Sequence, residues 1–129
     1  MISDENRASL INYRIRQSNE TVQLAEFLIT SNKLVVAVNR IYYGAYYALT
    51  ALALKYNFET SKHAKLIGWF NKEFVAKNLI DNKHGKFLRI AFQNRTRGDY
   101  DAFVEFTKHE VESMLKDLKL FINEIESNL

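Results

Sequence analysis

The sequence predicts an all-α protein, an antiparallel up-and-down helical bundle with three long and two short helices. Two observations carry that expectation. The 129 residues contain no proline and only four glycines, so the chain lacks the punctuation that an all-β fold needs at every hairpin, whereas long helices need none. Apolar residues also recur at spacings of three, four and seven, the period of a helix with one buried face. With 47% apolar and 13% aromatic residues, the chain is long enough for one core and too short to divide comfortably into two. Residues 1–129 are therefore expected to form one domain.

Ser3 or Asp4 is suited to cap a first helix, whose apolar positions Ile11, Ile15, Val22, Ala25 and Ile29 share a face and whose end falls near Ser31-Asn32. A second helix is expected from about Leu34 to Tyr56, with Val38, Ile41, Ala45, Leu49 and Leu52 in one stripe. Its other face, with Val36, Tyr43, Tyr47 and Leu54, is also apolar or aromatic, so it is placed in the centre with neighbours on both sides. After a turn at Asn57 to Ser61, a shorter helix from Lys62 to Lys77 would bury Leu66, Ile67, Phe70 and Phe74. A fourth, Lys83 to Thr96, would turn Phe87, Leu88, Ala91 and Phe92 inward. Arg97-Gly98-Asp99 reads as a break, with Gly98 as C-cap and Asp99 or Asp101 as the next N-cap. The last helix, Ala102 to Glu126, repeats Val111, Met114, Leu118, Phe121 and Ile125. Short connections between amphipathic helices favour antiparallel neighbours.

Several function classes are excluded at this level. Without cysteine there is no disulfide, thiolate metal site or cysteine nucleophile. There is no phosphate-binding glycine loop, no His-Glu metal motif and no nucleophile elbow, so neither metal nor cofactor is expected. The polar N-terminus and the absence of a long apolar run make a cytoplasmic protein without a membrane span the expectation. The net charge of +3 is unevenly spread: Lys62 to Arg97 carries nine basic residues against Glu73 and Asp81, a local excess of +7. Such a stretch suits an anionic partner such as RNA or nucleotide, or equally a solvated face that meets the acidic last helix.

Three segments, in this order, carry a resemblance. They are Ala37-Val38-Asn39-Arg40-Ile41-Tyr42-Tyr43-Gly44-Ala45-Tyr46-Tyr47-Ala48-Leu49, Ser61-Lys62-His63-Ala64-Lys65-Leu66-Ile67, and Phe92-Gln93-Asn94-Arg95-Thr96-Arg97-Gly98-Asp99-Tyr100-Asp101. Together they resemble the stand-alone HEPN domains of bacteria and archaea over nearly the whole chain. The resemblance implies a helical bundle, a homodimer, and a nucleotidyltransferase partner in a toxin–antitoxin arrangement. It also implies that a tyrosine near the third segment, here Tyr100, is a target for adenylylation by that partner. Some members resemble metal-independent ribonucleases marked by an Arg followed after four to six residues by His. From Arg95 those positions hold Tyr100, Asp101 and Ala102, from Arg97 they hold Ala102, Phe103 and Val104, and Tyr47 stands where relatives of Arg40 carry His.

The candidate site residues follow from chemistry as well. Arg40 lies within an apolar helix, where a guanidinium needs a carboxylate or phosphate partner; an internal ion pair with Asp99 or a glutamate of the last helix is the alternative. Tyr43 and Tyr47 follow on the same face, as cleft-lining hydroxyls or as core residues. His63 opens a helix, where the dipole favours a neutral imidazole, or else it is a half-exposed histidine of the turn. His84 and His109 read as surface residues. Arg95, Arg97, Asp99 and Tyr100 form a polar group suited to bidentate phosphate contact and base stacking, unless Asp99 simply caps a helix and pairs with Arg95. The expected function is a nucleotide- or RNA-binding module. The alternatives are a ribonuclease toxin in which His63 replaces the motif histidine, and a purely structural dimerisation protein.

Overall fold

The computed structural model describes residues 2–129. Its elements are α1 (Asp4–Thr30), α2 (Leu34–Lys55), α3 (His63–Phe70) continued by a π-helical turn (Asn71–Val75), α4 (Asn82–Tyr100) and α5 (Lys108–Glu126). No strand occurs among the described residues, and none of their helices is long and apolar enough to cross a membrane. The expected antiparallel bundle is present, with α2 in the middle, packed against every other α-helix. Side-chain contacts give the directions. Glu26 of α1 meets Lys119 of α5 at 2.9 Å, and Asn19 meets Glu126 at 3.2 Å, so residue numbers rise along one helix as they fall along the other. Tyr43 and Asn39 of α2 meet Arg95 and Asp99 of α4 in the same antiparallel sense.

The core forms where apolar stripes converge: Val38, Ile41, Leu49 and Leu52 of α2, Phe70 of α3, Leu88 of α4, and Val111, Leu118, Phe121 and Ile125 of α5 are all fully buried. Each such large side chain contributes about 1.5–3 kcal/mol by leaving water. Close approach to α2 is possible because its inward side is small. A Cβ on Gly44 would stand 3.1 Å from Leu118 Cδ2 and 3.6 Å from Thr21 Cγ2. In the space left there, the buried hydroxyl of Ser18 donates to the Gly44 carbonyl at 2.6 Å.

Helix ends are closed chiefly by asparagine. Asn32, Asn57 and Asn78 each take a left-handed conformation, with φ of 58°, 59° and 59°. The residue after each one donates its N–H five residues back, Lys33 to Leu28, Phe58 to Ala53 and Leu79 to Phe74, at 2.8–2.9 Å. That is the Schellman closure, with Asn in place of the usual Gly because its short amide tolerates positive φ.

Four expectations need correction. The helix foreseen over Lys62–Lys77 is α3 plus the π-helical turn, in which Ala76 N–H reaches the Asn71 carbonyl. Next, α4 does not stop at Thr96: it passes through Gly98 to Tyr100 and is as long as α5. Gly98 is not a C-cap. Its missing Cβ, which would lie 3.3 Å from Val35 Cγ1, lets α4 cross the start of α2, while Asp99 pairs with Arg95 within the helix. The last helix begins at Lys108, not Ala102. Thr107 is its N-cap, and the Glu110 N–H donates to Thr107 Oγ1 at 3.1 Å while Glu110 Oε2 accepts from the Thr107 N–H at 3.4 Å, a capping box. Finally, His84 is no surface residue. It is 5% exposed and lies against Phe121, and burial holds its imidazole below the usual histidine value. His109 is exposed as expected.

Replacing Thr107 with Ala removes the cap that starts α5. The expected loss is about 1 kcal/mol of stability in urea unfolding with helix content retained, and an unchanged unfolding midpoint would mean that the loop before α5 positions it by other means.

Candidate functional site

Tyr42-Tyr43 and Tyr46-Tyr47 are two pairs one helical turn apart, so they line one side of α2. Tyr42 is fully buried, and the other three are half-buried. His63, the first residue of α3, lays its imidazole on Tyr46 with ring centroids 4.2 Å apart and planes within 13°. Its Nδ1 lies 2.6 Å from the Tyr42 hydroxyl. From α4, Phe92 stands edge-on to Tyr42 at 5.4 Å. Three elements thus close an aromatic crevice around one imidazole.

Two guanidinium groups edge this crevice. Arg95 donates through Nη2 to the Tyr43 hydroxyl at 3.1 Å, with its guanidinium carbon 5.4 Å from the Tyr43 ring and 5.7 Å from the Tyr42 ring. Its Nε lies 2.9 Å from Asp99 Oδ2. That Nε is buried and its N–H is not aligned on any acceptor, so the Asp99 contact is an attraction of charges rather than a directed hydrogen bond. Arg40 sits 4.9 Å from the same Tyr43 ring and donates through Nε and Nη2 to Asn39 Oδ1 at 3.0 and 2.6 Å. Asn39 Nδ2 in turn donates to Asp99 Oδ1 at 3.4 Å. Among the described residues Arg40 has no carboxylate partner. The two cations thus have one carboxylate between them, which pairs with Arg95, and the Arg40 charge is left unbalanced by the side chains of the cluster.

Burial pushes the Tyr42 phenol far above its usual value, with the Arg95 charge opposing, so it remains an intact O–H near neutral pH. His63 is held below the usual histidine value, first by burial and then by the Arg95 charge. It is mostly neutral at pH 7. The sequence suggested a neutral imidazole through the helix dipole; the causes found are desolvation and a neighbouring guanidinium.

The crevice brings together Arg40, Tyr43, Tyr47, His63, Arg95 and Asp99. Arg97 points elsewhere: it lies over Phe106 at 5.9 Å and lines a groove between α4 and α5 with Glu105 and His109. Tyr100 stands 82% exposed at the end of α4, apart from the crevice. The division follows from α4 staying helical, since residues two apart on a helix face different directions. Sequence reasoning missed Tyr42, Tyr46, Asn39 and Phe92. The doubled Tyr pair at a spacing of four was a usable signal, but contact with His63 across helices was not.

The HEPN domain family matches residues 11–128. A UPF0332 protein of Thermotoga maritima is 34% identical over 120 residues, 93% of this chain and 91% of that protein. A Methanocaldococcus jannaschii protein named "Putative toxin MJ0142" is 31% identical over 115 residues, covering 89% of this chain and 78% of its own. A second from that organism, named "Putative toxin MJ0605", is 27% identical over 94% of this chain and 96% of its own.

Folded His63 and His84 bind protons more weakly than the unfolded chain does. Their effect on stability is therefore nil above the ordinary histidine value of about 6.5 and turns destabilising as pH falls below it. Titrating the imidazole NMR signals is expected to place both midpoints below that value. Arg95→Gln should move the His63 midpoint upward without fully restoring it, because burial is the larger cause. A His63 midpoint at or above 6.5 would contradict the buried, cation-flanked placement.

Proposed function

The chain belongs to the HEPN family, and from that premise we propose that it is a toxin-like module binding the phosphate backbone of RNA, or a nucleotide, at the crevice of α2, α3 and α4. The observation that carries the proposal is the unbalanced charge. Arg40 and Arg95 both border the Tyr43 ring, and Asp99 neutralises only one of them. A phosphate oxygen taking the place of Asn39 at Arg40 would complete the set, since guanidinium groups suit bidentate phosphate contact.

His63 contributes a neutral donor. A phenol is a better hydrogen-bond donor than acceptor, and the nearby Arg95 strengthens Tyr42 in that role, so the Tyr42 O–H is assigned as donating to Nδ1. The imidazole proton then sits on Nε2, where it can be offered to a phosphate. Tyr47 joins the crevice at 6.1 Å from Tyr43. Arg97 and Tyr100 lie outside it, with Arg97 as a peripheral backbone contact and Tyr100, by its exposure, open to adenylylation by a nucleotidyltransferase. A homodimer working beside such an enzyme in the cytoplasm is part of the same proposal; family membership and the toxin names of the two Methanocaldococcus jannaschii relatives support it.

A second reading has one observation in its favour. Arg95 has no histidine at nuclease spacing in the chain, yet His63 is brought close enough for the Arg95 charge to act on its imidazole. In the opposite tautomer, Nε2 would take the proton of a ribose 2′-hydroxyl, whose oxygen attacks the adjacent phosphorus as the bond from phosphorus to the 5′-oxygen breaks and that leaving oxygen takes a proton from water. The products are a 2′,3′-cyclic phosphate and a 5′-hydroxyl end, with no metal involved.

Both readings are separated by one assay series on labelled RNA without added metal. The proposal expects salt-sensitive binding without cleavage, weakened roughly tenfold by Arg40→Ala or Arg95→Ala, with the salt slope reduced by about one for each. Cyclic phosphate ends made by wild type and lost in His63→Ala would replace the binding module with the nuclease. No salt-sensitive binding at all would remove both.

A further inference from the structure

Beside the crevice, α3 and α4 leave between them a groove of about 400 Å³ lined by Ala64, Ile67, Gly68, Asn71, Arg89, Phe92 and Gln93, closed at one end where the Asn71 side chain packs on Gly85 of α4. Its floor is apolar and low. Gly68 has nothing within 4 Å of where a Cβ would be, and Ala64 lies one turn before it. Ile67 and Phe92, which the apolar pattern would turn fully inward, are only half-buried because they face this opening. The rim is different in kind: Asn71 and Gln93 each offer an amide with both donor and acceptor, and Arg89 supplies a planar cation. Asn71 begins the π-helical turn, a wide backbone form that often marks functional positions.

Rigid apolar walls beneath a rim of amides suit a flat heteroaromatic ring that has hydrogen-bonding edges. The groove also continues the crevice. Phe92 lines it while standing edge-on to Tyr42 and 6.4 Å from His63, and Ala64 follows His63 directly. Phe92 and Arg95 are three residues apart on one face of α4, about one turn or roughly 5 Å along the axis. That is the scale over which a nucleotide joins its base to its phosphate.

From these placements we propose that the α3–α4 groove receives an unpaired nucleobase of single-stranded RNA, set against Phe92 over Gly68 and met at its edge by Asn71 and Gln93. The inference rests on the Arg40–Arg95 cluster holding a phosphate of the same strand. It makes the protein a reader of unpaired RNA, because a base within a duplex cannot enter a groove of this kind.

Gly68→Leu tests it. The added side chain enters open space, so helix content and thermal stability should be kept or raised, while the groove is filled. Binding of a labelled single-stranded oligoribonucleotide is measured beside an abasic sugar-phosphate strand of equal length. Wild type should prefer the strand with bases by roughly tenfold or more, and Gly68→Leu should erase that preference while leaving abasic binding unchanged. Gln93→Ala, at an exposed position, should lower the preference in the same direction and stands in if the leucine variant misfolds. Equal affinity of wild type and Gly68→Leu for the base-carrying strand overturns the base groove and leaves the phosphate cluster standing. No binding of either strand by wild type overturns both. A change from dimer to monomer in Gly68→Leu, seen by sedimentation, would assign the groove to self-association and overturn the proposal.

Discussion

How closely α1 and α5 can approach the middle of α2 decides the rest of this molecule. Gly44 has Leu118 Cδ2 at 3.1 Å from the place of its missing Cβ, and its carbonyl takes the Ser18 hydroxyl at 2.6 Å. Ala37, Ala45, Ala48 and Ala51 keep the inward surface of α2 small, and all are fully buried. The helix is therefore divided by side-chain size more than by polarity. Its small side takes two helices at close range, and its large side, the tyrosine pairs, is left to be covered by α3 and α4. Because the small side is packed without slack, the tyrosines have a fixed platform behind them.

That platform lets a polar cluster exist beside a core. Tyr42 can be buried only because its hydroxyl finds His63 Nδ1 at 2.6 Å, since a hydroxyl buried without a partner is costly. Arg95 is kept near the same rings by Tyr43 and Asp99, and its charge together with burial keeps His63 neutral. Removing any one member alters the others, so the crevice behaves as a unit rather than as separate contacts. Its charge balance is the one part that its own side chains do not complete.

The helices were legible because their apolar period is regular and α2 is apolar on both sides. Several boundaries were not. Gly98 looks like a helix stop, and only its packing against Val35 shows why a glycine is needed inside α4. The stops that do occur use Asn32, Asn57 and Asn78, which are harder to tell from ordinary polar residues than glycine would be. Thr107 and Glu110 spell a capping box, but the apolar pattern ran past them to Ala102. His84 shows the limit of reading one residue at a time: with no partner at metal-ligand spacing it read as a surface residue, and the turn of α4 onto Phe121 buried it. In the site, Arg40, Tyr43 and Tyr47 shared a face that helical spacing could reveal. Tyr42 and Tyr46 were marked by the doubled Tyr pair, but their contact with His63 became visible only once α3 delivered it.

The same distinction between spacing and space bears on chemistry. A search along the chain for Arg and His at nuclease spacing fails, yet the fold places His63 of α3 where the Arg95 charge reaches it. What separates a catalytic base from a binding group here is the partner on the other ring nitrogen. A carbonyl or carboxylate on Nδ1 would hold a proton there and leave Nε2 free to accept one. In this chain the partner is a phenol, buried so that it keeps its own proton. A phenol that donates sends the imidazole proton to Nε2 and makes that face a donor. On the proposed reading, in which that phenol donates, a tyrosine hydroxyl in place of an acceptor favours holding phosphate over accepting a proton, so that Tyr42 as much as His63 bears on which chemistry the crevice performs.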